Sequence, residues 1–219
     1  MQPVRHAVIS AAGLGSRLGL NLPKCLVELE GRRLIDYQLE LLEGVPDVRI
    51  VVGFMERAVM EHVRSVRRDV IFVRNPDYVT TSNSYSLSLA SRDLREDFLI
   101  LDGDLILERE SFQSFLSRVQ PGRSLIGVTE SKSEESVFVE LDGGMMLHGF
   151  QRHTPRPYEW SGLAYLSGLS IEANEKYVFE ELAKWLPLQA CPIRCFEIDT
   201  PRDLSEAIRH FDTLGYGRG

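Results

Sequence analysis

The sequence predicts an α/β protein with a mixed, mainly parallel sheet flanked by helices. Short apolar runs rich in β-branched residues alternate with helically spaced segments through about residue 110. The first run is apolar without alternation, as in a strand covered on both faces. A glycine-rich stretch follows it directly.

Residues 4–11 are that first strand. In 34–42, Leu34, Tyr37, Leu41 and Leu42 stand at helical spacing, and Gly44 lies just past the end. Residues 48–54 read as a strand, 59–66 as a helix, 70–73 as a strand, 84–94 as a helix and 98–101 as a strand stopping at Asp102-Gly103-Asp104. Beyond this the character changes. Residues 111–119 are a helix and 124–129 a strand, and 138–141 with 145–150 flank Asp142-Gly143-Gly144 as a hairpin. A strand at 163–167, a helix at 173–185 and a strand at 193–198 follow. Thr200 then fits an N-cap, Pro201 the first helical position and Asp203 the positive helix end.

The 219 residues carry 25 Lys+Arg against 32 Asp+Glu, a net charge of −7, with 43% hydrophobic and 26% charged residues. A chain of this length buries about 70–75% of its unfolded surface, enough for one core without disulfides. The acidity argues against general nucleic-acid binding but leaves room for a local basic pocket. No apolar run approaches the ~20 residues of a membrane span. Arg5 before 7–12 imitates a weak signal peptide, but the run enters Gly13, Gly15 and Arg17 without a cleavage site, so a buried strand is expected. Cys25, Cys191 and Cys195 are odd in number and no Cys/His spacing suits a metal, consistent with free thiols in a cytoplasmic protein.

The strongest chemical signal is Ala11-Ala12-Gly13-Leu14-Gly15-Ser16-Arg17-Leu18-Gly19, followed by Pro23-Lys24. Glycines after a first strand let backbone amides approach a phosphate chain. The stretch lacks the Gly-Lys-Ser/Thr of a P-loop and the third glycine of a dinucleotide fingerprint. What remains is a glycine loop with two cations, Arg17 and Lys24, either solvated or able to neutralise a triphosphate.

Ala-Ala-Gly-x-Gly-x-Arg-Leu followed by Pro-Lys resembles the signature of sugar-phosphate and choline-phosphate nucleotidyltransferases. The similarity continues through 31–42, 48–54, 75–89, 101–104 and 197–204, most of the chain. The resemblance implies a Rossmann-like, GT-A-like fold with a small inserted β-hairpin region, a nucleoside triphosphate, Mg2+ and release of pyrophosphate. The chain, 1–219, is then one nucleotidyltransferase domain, with a nucleotide-binding half (1–110) and an acceptor-binding half (111–219). Ala11, Ala12, Gly13 and Gly15 would shape the nucleotide turn, with Arg17 and Lys24 catalytic.

Asp104 follows one predicted strand and Asp199 ends another, where α/β proteins open their ligand crevice, and magnesium takes one or two carboxylates plus substrate phosphates. The resemblance assigns the metal to these two. Asp102 competes for the first role, as a nucleotide-site residue or a turn residue. For Asp199 the structural alternative is helix entry. Ser82-Asn83-Ser84 either caps the next helix or presents hydroxyls and an amide to the nucleotide. Similar Asn-x-x-Tyr-Ser-Leu stretches in phosphocholine and inositol-1-phosphate cytidylyltransferases favour CTP.

On the acceptor side, Arg152 and Arg156 stand near Tyr158 and Trp160. Arginine forks suit a phosphate or phosphonate and aromatic faces suit a quaternary ammonium, unless this is a solvated loop. Phosphocholine enzymes carry a Trp just before the strand at 138–141. Here Ser136-Val137 stands in its place, which argues against a choline cage. The sequence thus reads as a cytidylyltransferase acting on a small phosphomonoester or phosphonate. Its rivals are a hexose-1-phosphate nucleotidyltransferase using UTP, dTTP or GTP, and a nucleotide sensor without turnover. Arg17, Lys24, Asp104 and Asp199 together weigh against the sensor.

Overall fold

The structure, a computed structural model, describes residues 4–132 and 136–217, so the outermost bounds of the expected domain lie outside the described residues. In chain order the elements are β1 (His6–Ala11), β2 (Glu28–Leu29), β3 (Arg32–Arg33), α1 (Leu34–Leu41), β4 (Asp47–Val52), α2 (Glu56–Val66), β5 (Val70–Arg74) and α3 (Asn83–Ser91). Then come β6 (Phe98–Asp102), β7 (Leu105–Leu107), α4 (Arg109–Arg118), β8 (Leu125–Glu130), β9 (Phe138–Leu141), β10 (Met146–Gln151) and β11 (Tyr158–Leu166). The chain closes with α5 (Val178–Leu182), β12 (Leu188–Pro192), β13 (Cys195–Glu197) and α6 (Pro201–Arg209).

The main sheet has nine strands in the order β5-β4-β1-β6-β11-β8-β12-β10-β9. Pairing is parallel from β5 to β6 and between β8 and β12, and antiparallel elsewhere. β9 also pairs with β11, so β11, β8, β12, β10 and β9 close into a small barrel. This corrects the expectation of a Rossmann-like, mainly parallel sheet: the α/β half is parallel, and the second half is mostly antiparallel and curls shut. The bulged register of β11 between Trp160 and Ala164 supplies a place for the sheet to bend.

The central strands explain why both faces are apolar. Along β1, Ala7, Ile9 and Ala11 enter one core cluster while Val8 enters the other, the period of two expected of a strand. Burying a Val, Leu or Ile side chain contributes about 1.5–3 kcal/mol, so this doubly covered sheet is the main source of stability. A third cluster around Tyr37, Phe211 and Tyr216 seats the C-terminal segment, and Tyr216 Oη donates to the Leu107 carbonyl at 2.7 Å.

Two expectations fail here. Residues 173–185 are not one helix, because α5 covers only Val178–Leu182 with a single tighter turn after it. Hydroxyls of Ser82 and Ser84 take the Asn174 and Lys176 carbonyls, which a helix would use for its own ladder. Of the strand expected at 193–198 only Cys195–Glu197 forms, as β13, and it is preceded by β12, a strand the sequence did not announce and that belongs to a different sheet.

Candidate active site

The carboxyl ends of β1 and β6 open onto a cleft of about 2260 Å³. That exceeds the ~300–1,000 Å³ of a single small-ligand pocket, so two substrates have room. One wall is the glycine stretch with the turn at 78–83, and the other carries residues from β11 together with Arg152, Tyr177 and Phe179.

Gly15 sits at φ +62°, and a Cβ there would lie 2.8 Å from Lys24 Cγ. Only glycine allows both the backbone turn and the passage of the lysine. Lys24 opens a tight turn anchored by the buried Cys25 and Leu26. Its ammonium donates to Asp104 Oδ2 at 2.7 Å and forms an ion pair with Asp199, which also pairs with Arg17. Lys24 is 20% exposed against 70% for Arg17, so only the lysine is held inside.

A close turn and a small ribbon bring the two aspartates together. Gly103 donates to the Ser10 carbonyl at 2.9 Å, and a Cβ on it would meet that same oxygen at 2.7 Å. The ends of β1 and β6 are thereby locked, and Asp104 projects beyond them. β7 pairs antiparallel with β13, with Leu105 opposite Glu197, and the Ile198 amide donates to the Asp104 carbonyl at 2.9 Å. Asp199 follows directly. Thr200 and Asp203 form the expected capping box of α6, and Asp203 Oδ2 accepts from the Thr200 amide at 2.8 Å. The ribbon was not legible in the sequence, because its three-residue strands are too short to show a period.

Negative charge is concentrated here. Burial and the neighbouring Asp104 push the Asp102 carboxyl up to about 7. Glu197, exposed at the rim, is pushed up to about 8, chiefly by the charge of Asp104. Burial would lower the Lys24 ammonium, but Asp104 and Asp199 outweigh it and hold it above the usual lysine range. Asp104 Oδ1 is buried and accepts no hydrogen bond from the described residues. A carboxylate oxygen left open beside a second carboxylate fits a hard cation such as Mg2+. No cluster of three or more His, Cys, Asp or Glu with metal-binding arrangement occurs among the described residues, so water or phosphate would complete the shell.

Residues 7–195, which include this glycine turn and the Asp102-Gly103-Asp104 corner, match the family model of the MobA-like NTP transferase domain. The chain belongs to that family. This NTP transferase domain is 36% identical over 117 residues to the choline-phosphate cytidylyltransferase of Streptococcus pneumoniae, covering 51% of this chain and 50% of that protein. It is 41% identical over 113 residues to the CMP-5'-(3-aminopropyl)phosphonate synthase of Streptomyces rubellomurinus, covering 48% of this chain and 18% of that one. The domain thus spans half the length or less of these curated relatives. In fold it resembles the inositol-1-phosphate CTP transferase from T. maritima, with a TM-score of 0.80 at 22% identity over 99% of this chain and 98% of that one. The CTP:phosphocholine cytidylyltransferase from Streptococcus pneumoniae gives a TM-score of 0.78 at 22% identity, over 95% of this chain and 100% of that one.

Within the NTP transferase domain, Ala11, Ala12, Gly13, Ser82, Asn83 and Asp102 line the cleft beside the Lys24 cluster. Ser84 does not, being wholly buried and donating to the Lys176 carbonyl at 2.5 Å. Ser82 caps α3 through the Tyr85 amide and donates to the Asn174 carbonyl at 2.9 Å, and Asn83 Oδ1 accepts from the Val178 amide at 3.2 Å. The polar block therefore fastens the 174–178 segment to the wall that carries the glycine turn. Arg152, Tyr158 and Trp160 line the cleft, whereas Arg156 is outside its lining and faces Glu140 at 3.4 Å. Sequence reasoning missed Tyr177 and Phe179, hidden inside the helix expected at 173–185; Asn174 was the available signal, since its Oδ1 accepts from the Lys176 amide in an Asx-type turn. No helix among the described residues is long and apolar enough to cross a membrane.

Proposed function

We propose that this domain transfers a cytidylyl group from CTP to a small phosphate or phosphonate, with release of pyrophosphate. The observation that carries the reading is the Lys24 ammonium held between Asp104 and Asp199 beside the glycine turn. The nucleotide preference rests on the CTP-using activities by which the relatives are named. In this reading residues 1–110 supply most of the nucleotide side and 111–219 the acceptor side, with Asp199 crossing over to the first.

An acceptor phosphate oxygen attacks the α-phosphorus in line. The bond to the bridging oxygen of pyrophosphate breaks, and the electron pair leaves with the pyrophosphate. No covalent enzyme intermediate is required, so the protein works by positioning and charge neutralisation. Gly13, whose added Cβ would meet no protein atom within 4 Å, leaves backbone and space for the phosphate chain. Lys24 and Arg17 offset its charge. Ala11, Ala12, Ser82 and Asn83 border the base and ribose. Asp104 and Asp199 would hold Mg2+, which supplies further neutralisation of phosphate charge when bound.

Pyrophosphate release across the four ribonucleoside triphosphates, with a panel of small phosphates, tests the reading. CTP is expected to be preferred, with turnover lost on chelation or in Asp199→Ala. Preference for UTP or GTP would move the domain to the sugar-phosphate enzymes. Tight CTP binding without turnover of any acceptor would make it a sensor.

A further inference from the structure

The wall opposite the glycine turn contains a cation that is held by two rings and has no carboxylate partner among the described residues. The Arg152 guanidinium lies 4.7 Å from the Tyr177 ring centroid and 5.0 Å from that of Phe179. Those two rings stack at 5.8 Å with 14° between planes, and Phe179 is braced by Phe150, which meets Trp160 edge-on. Arg152 makes no ion pair with any described carboxylate, although it lies in a strongly acidic cleft. Glu175 lines the same cleft without pairing to it. Ring faces hold a guanidinium by its plane and leave its N–H edges open. A positioned fork with unfilled donors suits a carboxylate or phosphate bidentately.

Its place in the cleft decides which end of the acceptor it meets. Leu101 pairs with Leu163, which sets Asp102 level with Gly162 on β11, while Gln151 and Glu159 both lie level with Phe138. Three residues along β11 and three strand spacings, β6 to β11, β11 to β9 and β9 to β10, separate the backbones of Arg152 and Asp102, on the order of 15–20 Å. The reacting phosphate belongs beside Lys24 and Asp104, so Arg152 faces the far end of the acceptor. A trimethylammonium tail would need the ring faces that Arg152 already occupies, and it would be repelled by the guanidinium.

We infer that the acceptor is a phosphate or phosphonate whose tail ends in a carboxylate, and that Arg152, seated on Tyr177 and Phe179, reads that carboxylate. This rests on the nucleotidyltransfer reading above. The wall is also held rigid, because Ser82, Asn83 and Ser84 bind the segment that leads into Tyr177.

The test is steady-state kinetics with CTP and four acceptors: 3-phosphoglycerate and O-phosphoserine, which bear a carboxylate, against glycerol 3-phosphate and phosphocholine, which do not. The two carboxylate acceptors are expected to show kcat/KM at least about tenfold higher. Arg152→Gln should erase that advantage and leave the CTP KM unchanged, and Arg152→Lys should recover part of it. Equal or better turnover of glycerol 3-phosphate or phosphocholine would overturn the inference. So would an Arg152→Gln variant that slows all four acceptors alike, or turnover of glycerol 3-phosphate or phosphocholine with none of either carboxylate acceptor. Failure of the nucleotidyltransfer reading itself has another signature, namely no pyrophosphate from any acceptor, whether or not CTP binds.

Discussion

Substituting the two glycines of the turn one at a time separates the fold from the chemistry. Gly15→Ala places a side chain at φ +62°, which costs a non-glycine residue about 1–2 kcal/mol. In a domain of this size that corresponds to about 2–4 °C of Tm per kcal/mol. The new Cβ would also stand 2.8 Å from Lys24 Cγ. A lysine stem is flexible, so it yields, and the ammonium leaves its 2.7 Å contact with Asp104. Losing one charge-assisted contact costs about 1.5–3 kcal/mol, roughly tenfold to a hundredfold in rate. Gly13→Ala is the counterpart: its Cβ meets no protein atom and its backbone is not left-handed. Its Tm should stay within about 1 °C of the parent, while the methyl group intrudes on the proposed phosphate path and raises the CTP KM. Thermal unfolding and initial-rate kinetics on both variants provide the readout. If Gly13→Ala bound and turned over CTP normally, the glycine turn would not be the phosphate site. A Gly15→Ala variant with lower Tm but unchanged kcat/KM would show that Lys24 does not act from its observed position.

Other outcomes follow from the same geometry. Lys24→Ala should lower turnover by roughly tenfold to a hundredfold; because the lysine stays charged well above neutrality, the defect should be constant from pH 6 to 9, checked by a pH–rate profile. In the metal-free protein, Asp102 and Glu197 are pushed up from 3.8 to about 7 and from 4.5 to about 8, so the folded chain keeps protons that the unfolded chain has released. Stability should therefore fall as pH rises from about 4 to about 8, since the unfolded state binds fewer protons there. Asp102→Asn should flatten that slope and stabilise the protein at pH 8, not at pH 4, by about 1–3 kcal/mol in chemical denaturation with chelator present. Ser84→Ala leaves the Lys176 carbonyl without its hydroxyl donor, costs about 1–3 kcal/mol, and should raise the acceptor KM while sparing that of CTP.

The parts of the fold that repeat over several residues were legible in the sequence. The run at 4–11 and the strands at 48–54 and 98–101 are long enough to declare burial on both faces, and the helix at 34–42 shows its spacing. Gly15, Lys24, Asp104 and Asp199 stood out because glycine and charge interrupt apolar runs. What could not be read depends on partners distant in the chain. The β7–β13 ribbon joins segments about ninety residues apart through strands of three residues each. Polar residues at 82–84 looked equally suited to a ligand or to the backbone, and only the fold shows that their partners lie at 174–178. Arg152 and Arg156 were equivalent by composition, yet a turn of four residues sends one to the cleft and the other to Glu140.

Closing β9 onto β11 leaves the second half of the main sheet without a free edge, and β5 as the terminal strand at the other end. The backbone groups around that ring are tied to neighbouring strands before the 152–157 connection is reached, so its length and composition are released from the duty of covering an edge. Tinkering there changes what the far end of the cleft can grasp without disturbing the lysine and carboxylates, which hang from β1, β6 and the β7–β13 ribbon.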